Sequence, residues 1–384
     1  MHPRLVLSVG NFFGAGHFFL ILYVIAPYLA LFMPEAYTVL VVSLGAVITL
    51  SLFPFVPRLV RRFGARKLAI GIGFIQAVNL TLLAASPGPV LAALAVALAC
   101  ALSPLAAYQL DLLLEATMRE ENETGRVRSL FLTAGNFALI LAPLIIGFLL
   151  DGTEAYHLVF LVAAVTLTPF ITLLLFEKLP EGAPPRFGEV IGTCRCIWED
   201  KDLRAAVLGF GVLQFFYHLA PFYVPLYLHS VLGIPWADLG WIFAIMLLPF
   251  VFVEYPAGWL ADRWLGDKEL LMAGFVIAGI AFAAVGLITS STPLLVVAAI
   301  LFVNRLGAAL VESMVETHFF RRVSERDANT IGIFRMTRPL SALGAPIFAS
   351  LILVSGSYAA LFMVSGALVV ALGIMSAVTI HDIR

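Results

Sequence analysis

Residues 304–338 read NRLGAALVESMVETHFFRRVSERDANTIGIFRMTR. Asn304, Arg305, Glu312, Glu316, Arg335 and Arg338 stand inside two otherwise apolar runs. Arg305, Glu312 and Glu316 follow one another at intervals of seven and four, so on a helix they share one stripe. Arg335 and Arg338, three apart, also share a face. A charge in lipid is costly, so such residues turn toward protein or a water-filled cavity and find partners there. The stretch therefore predicts two membrane helices that carry charged groups inward.

Composition agrees. The 384 residues are 61% apolar and only 12% charged, whereas soluble domains carry about a quarter charged residues. The chain is expected to be an integral membrane protein. A net charge of −1 gives no electrostatic case for nucleic acid. Cys100, Cys194 and Cys196 make no CxxC or zinc spacing. Cys194 and Cys196 fall on the side read below as cytoplasmic, where disulfides are rare. The first apolar run is too long for a signal peptide.

A span needs about 20 apolar residues. Runs and their Gly, Pro and charge breaks predict twelve, at about 5–33, 37–57, 67–86, 89–117, 127–150, 156–177, 204–231, 237–260, 270–290, 293–319, 329–353 and 357–380. The fold class is thus all-α: an integral membrane protein with twelve transmembrane helices in two pseudo-symmetric six-helix bundles. The first bundle covers 1–177 and the second 204–384. A polar segment at 178–203, with Pro180, Pro184 and Pro185, forms the central linker. Within it, Phe187 to Trp198 reads equally as an interfacial helix or an irregular loop.

Lys and Arg set the orientation. The boundaries after spans 1, 3, 5, 7, 9 and 11 hold none; their charges are Glu35, Asp151, Glu154 and Asp238. The opposite side holds 20 of the 23 basic residues, and the other three are Arg305, Arg335 and Arg338. This split places both termini in the cytoplasm, in a plasma or inner cell membrane.

The chain also repeats. Asp111 and Glu115 recur 201 positions later as Glu312 and Glu316, and His17 recurs as His218. Parallel six-span repeats, each built of inverted three-span units, are a transporter architecture with its site near the midplane between the halves.

With twelve spans, internal termini and a central linker, the chain resembles the major facilitator superfamily over its whole length. Its most specific motif is GWLADRWLGDK, Gly258–Lys268, which resembles that family's GxLaDRxGRK signature with one extra residue before the second glycine. Gly258, Asp262, Arg263, Gly266 and Lys268 carry the match. The first-half counterpart, PRLVRRFGARK at 57–67, has Pro57 and Arg61 in place of the Gly and Asp. In the family this Asp caps a partner helix and steadies the closed gate. The resemblance further implies that spans 1, 4, 7 and 10 line the solute path.

Depth along the helices assigns expected roles. Glu115, Glu316, Asp111, Glu312 and Arg335 lie within two turns of the cytoplasmic ends, and Glu254 lies about two turns inside span 8. These read as a gate of ion pairs or as proton carriers. Arg305, Arg338, His17 and His218 lie near the middle and read as substrate-binding, with Gln214, Asn304, Tyr108 and Asn136. For the arginines the alternative is an internal salt bridge to Glu312. For His17 and His218 it is a hydrogen bond to a neighbour. Asp111, Glu115, Glu254, Glu312 and Glu316 outnumber the three intramembrane arginines by two, and that surplus is the argument for proton coupling.

The expected function is a secondary active transporter that moves a small solute by alternating access, coupled to H+. Alternatives on the same fold are an exporter of lipophilic drugs and a non-transporting membrane sensor. The expected partners are a small-molecule substrate, membrane lipid and H+, with no nucleic acid, and the chain is read as a monomer. No Walker A loop is present, so ATP does not drive it directly, and no HExxH or GxSxG motif suggests an enzyme. No cofactor and no metal is expected.

Overall fold

The structure is a computed structural model that describes residues 3–117, 124–177, 179, 190–253, 256–257, 260, 266–323 and 328–381. Its described residues form helices and turns, with no strand among them. Eleven helical stretches are long and apolar enough to cross a membrane, and Trp236–Phe252 is a shorter apolar one. This is the expected all-helical membrane fold. Residues 254–255, 258–259 and 261–265, over which the eighth span is expected to end, fall outside the described set.

Two compact units divide the chain: Met1–Pro185 with Ile234–Ala244, and Arg186–Gly233 with Ile245–Arg384. In the first, α1 (Pro3–Leu22) gives way after a turn to α2 (Ile25–Ala30). Next come α3 (Glu35–Leu52), a 3-10 turn at Phe53–Phe55, and α4 (Val56–Phe63). Pro54 and Pro57 lack the N–H that an unbroken α ladder would need, and a 3-10 turn interrupts the α-helix here. The unit continues with α5 (Ala65–Ala84), α6 (Pro89–Glu115), α7 (Thr124–Leu149) and α8 (Tyr156–Phe176). Its core has α1 against α6, α7 and α8, α5 against α6 and α8, and α3 against α6.

The second unit begins with α9 (Val190–Glu199), so the described part of the linker is helical rather than irregular. Then follow α10 (Lys201–Pro225) and a π turn at Leu226–Val231; after α11 (Trp236–Leu247), most of which groups with the first unit, the second resumes with α12 (Pro249–Phe252). The last four helices are α13 (Asp267–Val285), α14 (Leu294–Arg322), α15 (Ala328–Ser355) and α16 (Tyr358–Thr379). Here α10 packs against α14, α15 and α16, α13 against α14 and α16, and α12 against α14. The packing order repeats that of the first unit, helix for helix, which is the structural form of the sequence repeat.

The repeat extends to backbone detail. Gly64 (φ 81°) precedes α5 and Gly266 (φ 86°) precedes α13. Both hold a conformation that a Cβ disfavours, so each half needs glycine at this turn. Asn79 donates to the Ala95 carbonyl at 2.8 Å in the first unit, and Asn304 donates to the Ala278 carbonyl at 2.8 Å in the second. In an apolar solvent such bonds tie helices together, each by about 1 kcal/mol. Elsewhere close packing does this work. A Cβ on Gly279 would come within 2.6 Å of the Gly366 carbonyl oxygen, so α13 and α16 approach nearer than any larger residue allows.

Candidate functional site

In the second unit, α10, α14 and α15 bring together most of the charged groups found within its spans. Arg305 on α14 is only 4% exposed. Its guanidinium carbon lies 5.3 Å from the centroid of Phe216 and 5.8 Å from that of Tyr217, both on α10. Among the described residues it makes no hydrogen bond or ion pair, and its Nε is fully enclosed without a partner. Cation–π contact in a dry setting is worth about 2 kcal/mol, whereas taking a charge out of water costs several kcal/mol. The rings alone therefore do not compensate the buried cation.

Glu312, two turns further along α14, accepts a hydrogen bond from the Tyr217 hydroxyl at 2.7 Å. It makes no ion pair among the described residues, so the Arg305–Glu312 salt bridge that the spacing allows is not formed. Tyr217 instead touches both groups, with its ring toward Arg305 and its hydroxyl on Glu312. His218, the next residue, brings Nδ1 to 2.7 Å from the Gln214 carbonyl oxygen. With Nδ1–H as the donor, Nε2 remains an acceptor. The Gln214 side chain is buried.

One further turn along, Arg335 on α15 donates to Glu316 on α14 at 2.7 Å, and an Arg338 nitrogen lies 3.9 Å from the same oxygen. Beneath them Phe334 stacks between Phe210 and Phe319, at 4.0 and 3.9 Å between centroids. Arg335 lies over the Phe210, Phe320 and Phe334 rings, and Arg338 over Phe210. Both guanidinium groups lie against this aromatic cluster, and Glu316 meets two cations carried by α15.

Sequence reasoning missed a third cluster, at the end of α14. His318 is 0% exposed, with its ring 3.9 Å from Asp202 on α10 and 3.8 Å from Asp267 on α13. Arg322 pairs with Asp202 at 3.0 Å and Arg321 with Asp267 at 2.8 Å. The His381 backbone N–H, just past α16, donates to Asp202 at 2.7 Å. Four helices are thus clasped through two carboxylates. The sequence gives one hint: Asp202 and Asp267 both fall in the first turn of a helix, where a carboxylate is favoured.

The first unit differs. His17 is buried with Nε2 3.5 Å from the Ser103 hydroxyl, and Asn11 donates to the Phe131 carbonyl at 2.8 Å. The Tyr108 ring sits 5.1 Å from that of Phe53, Asp111 is exposed and Asn136 half-buried. Asn304 in the second unit is engaged with Ala278, as described. In the signature loop, Lys268 donates to the Val378 carbonyl at 3.2 Å. Glu254, Gly258, Asp262 and Arg263 lie outside the described residues, as does the side chain of Glu115. No group of three or more His, Cys, Asp or Glu side chains among the described residues is arranged to hold a metal.

Helices of this length and polarity, with a few charged groups gathered inside the spans, define a multi-pass membrane protein. The sequence matches the Major Facilitator Superfamily over residues 7–253 and again over 207–384. The chain belongs to that family. No curated protein matches it. Among solved structures it is similar to the nucleoside transporter NupG, at 14% identity and a TM-score of 0.76, covering 99% of each chain. It is also similar to a bacterial homologue of the human lysosomal transporter Spinster, in an inward-facing and unoccupied conformation. There the identity is 13% and the TM-score 0.75, covering 98% of this chain and 97% of that one. At such identities the likeness concerns the fold.

Proposed function

We propose that the protein is a secondary transporter that moves a small solute by alternating access and couples that movement to H+, with both termini in the cytoplasm. Family and fold support transport rather than enzyme chemistry. The coupling rests on one observation: Glu312, inside a span, is held by the neutral Tyr217 hydroxyl rather than by a cation. A carboxylate in that position can take up and release a proton without breaking an ion pair. Glu316, bound to Arg335, would have to break one, and so reads as a gate or brace rather than a proton carrier.

The test is uptake into liposomes that contain the purified protein, with labelled small metabolites offered as a mixture. An imposed pH gradient should drive one solute or a related group above its equilibrium level, and a protonophore should abolish the excess. Equilibration that ignores the gradient would exclude H+ coupling.

A further inference from the structure

Resting on the transporter reading, we propose that Arg305 is the contact for a carboxylate or phosphate group on the solute, and that Tyr217 links this contact to the proton on Glu312. The intramembrane arginines of the second unit are not equivalent. Arg335 and Arg338 share Glu316. Arg305 is more deeply enclosed than either, makes no hydrogen bond or ion pair among the described residues, and carries an orphaned Nε. A neutral solute would leave that cation uncompensated, whereas an anion completes it. Because aromatic rings lie against the guanidinium, recognition falls to its edge N–H groups. That edge matches the paired oxygens of a carboxylate or phosphate. The same rings favour a solute with an apolar or aromatic body beside its anionic group.

Tyr217 makes the second half of the proposal physical. Arg305 and Glu312 are seven residues apart on one helix, or about 10 Å along its axis. An anion brought to Arg305 adds negative charge near Glu312 and favours its protonation, and a protonated Glu312 in turn favours the anion. This reciprocity is required of any coupled pair of sites. Among the described residues, the charged and titratable groups around Glu312 are Tyr217 on α10, Glu316 on its own helix, and Arg335 and Arg338 on α15. His218 adjoins Tyr217 and is bonded to the Gln214 carbonyl. Of these, Tyr217 alone touches both Arg305 and Glu312.

The experiment is thermal stabilisation of the purified full chain by benzoate, phenyl phosphate and neutral benzamide, at pH 6 and pH 8. One or both anions should stabilise the protein and benzamide should not; the two anion arms separate carboxylate from phosphate recognition. Affinity for the anion should be roughly tenfold higher at pH 6, within the range typical of coupled sites. Arg305→Gln should abolish the response, and Arg305→Lys, which keeps the charge without the fork, should weaken it. Tyr217→Phe should still bind the anion but lose the pH dependence, as should Glu312→Gln. Equal stabilisation by benzamide, no response to either anion, or unchanged binding in both Arg305 variants would overturn the proposal. Unaltered pH dependence in Tyr217→Phe would remove the link. Arg305-dependent anion binding without gradient-driven accumulation would count against H+ coupling alone. Accumulation of a neutral solute without anion binding would count against the anion site alone.

Discussion

In the first unit Asn11, Gln76 and Asn79 direct their amides at backbone carbonyls of neighbouring helices. In the second, Glu316 on α14 meets Arg335 and Arg338 of α15, while Tyr217 of α10 lies against Arg305 and donates to Glu312. Packing order is the same in both units, yet the polar residues within it serve different ends. The contrast is one of charge: neutral amides tie the helices of the first unit, whereas the second encloses a guanidinium, Arg305, whose Nε has no partner among the described residues.

Substitutions can break or sharpen this contrast. The largest effect is expected of Arg305→Ala, which should cut the initial uptake rate by about a hundredfold, in line with the loss of a buried charged contact of about 3 kcal/mol, while yield in the membrane stays at the wild-type level. Near-normal uptake would return Arg305 to a structural role. Glu312→Gln comes next: exchange of solute across liposomes at equal pH should persist, whereas uphill accumulation should be lost. Glu316→Gln removes the carboxylate that Arg335 binds and should lower stability by about 1.5–3 kcal/mol, read as a fall in melting temperature. The smallest effects belong to Asn79→Ala and Asn304→Ala. Each loses one amide–carbonyl tie, and each should cost about 1 kcal/mol with transport retained. A loss of transport in Asn304→Ala alone would place that residue on the solute path.

Span positions were legible from hydropathy, because a bilayer imposes one length and one polarity on every crossing. The repeat was legible because acids in lipid are rare enough for Asp111/Glu115 and Glu312/Glu316 to stand out. The partner of each charged group was not. Whether Glu312 meets Arg305, Arg335 or Tyr217 depends on the rotation of α10 and α15 against α14, which periodicity does not fix to better than a turn. His318 was invisible for a related reason. Set beside Phe319 and Phe320 at a helix end, it reads as an ordinary interfacial residue, and it becomes an enclosed group only when α10 and α13 converge on it with Asp202 and Asp267. The eighth span shows another limit. Its first part, Ile234–Ala244, groups with the first unit, where Gly240 meets Gly147 so closely that a Cβ on either would crowd the other's backbone. Two glycines 93 positions apart carry no local signal of that approach.

The most direct test of the account follows protons rather than solute. A pH-sensitive dye trapped in liposomes reports H+ movement when an accepted solute is added to one side. The wild-type protein should show solute-evoked proton flux, and Glu312→Gln should show none while still exchanging that solute. Proton flux of wild-type size in Glu312→Gln would contradict the assignment of the coupled proton to Glu312.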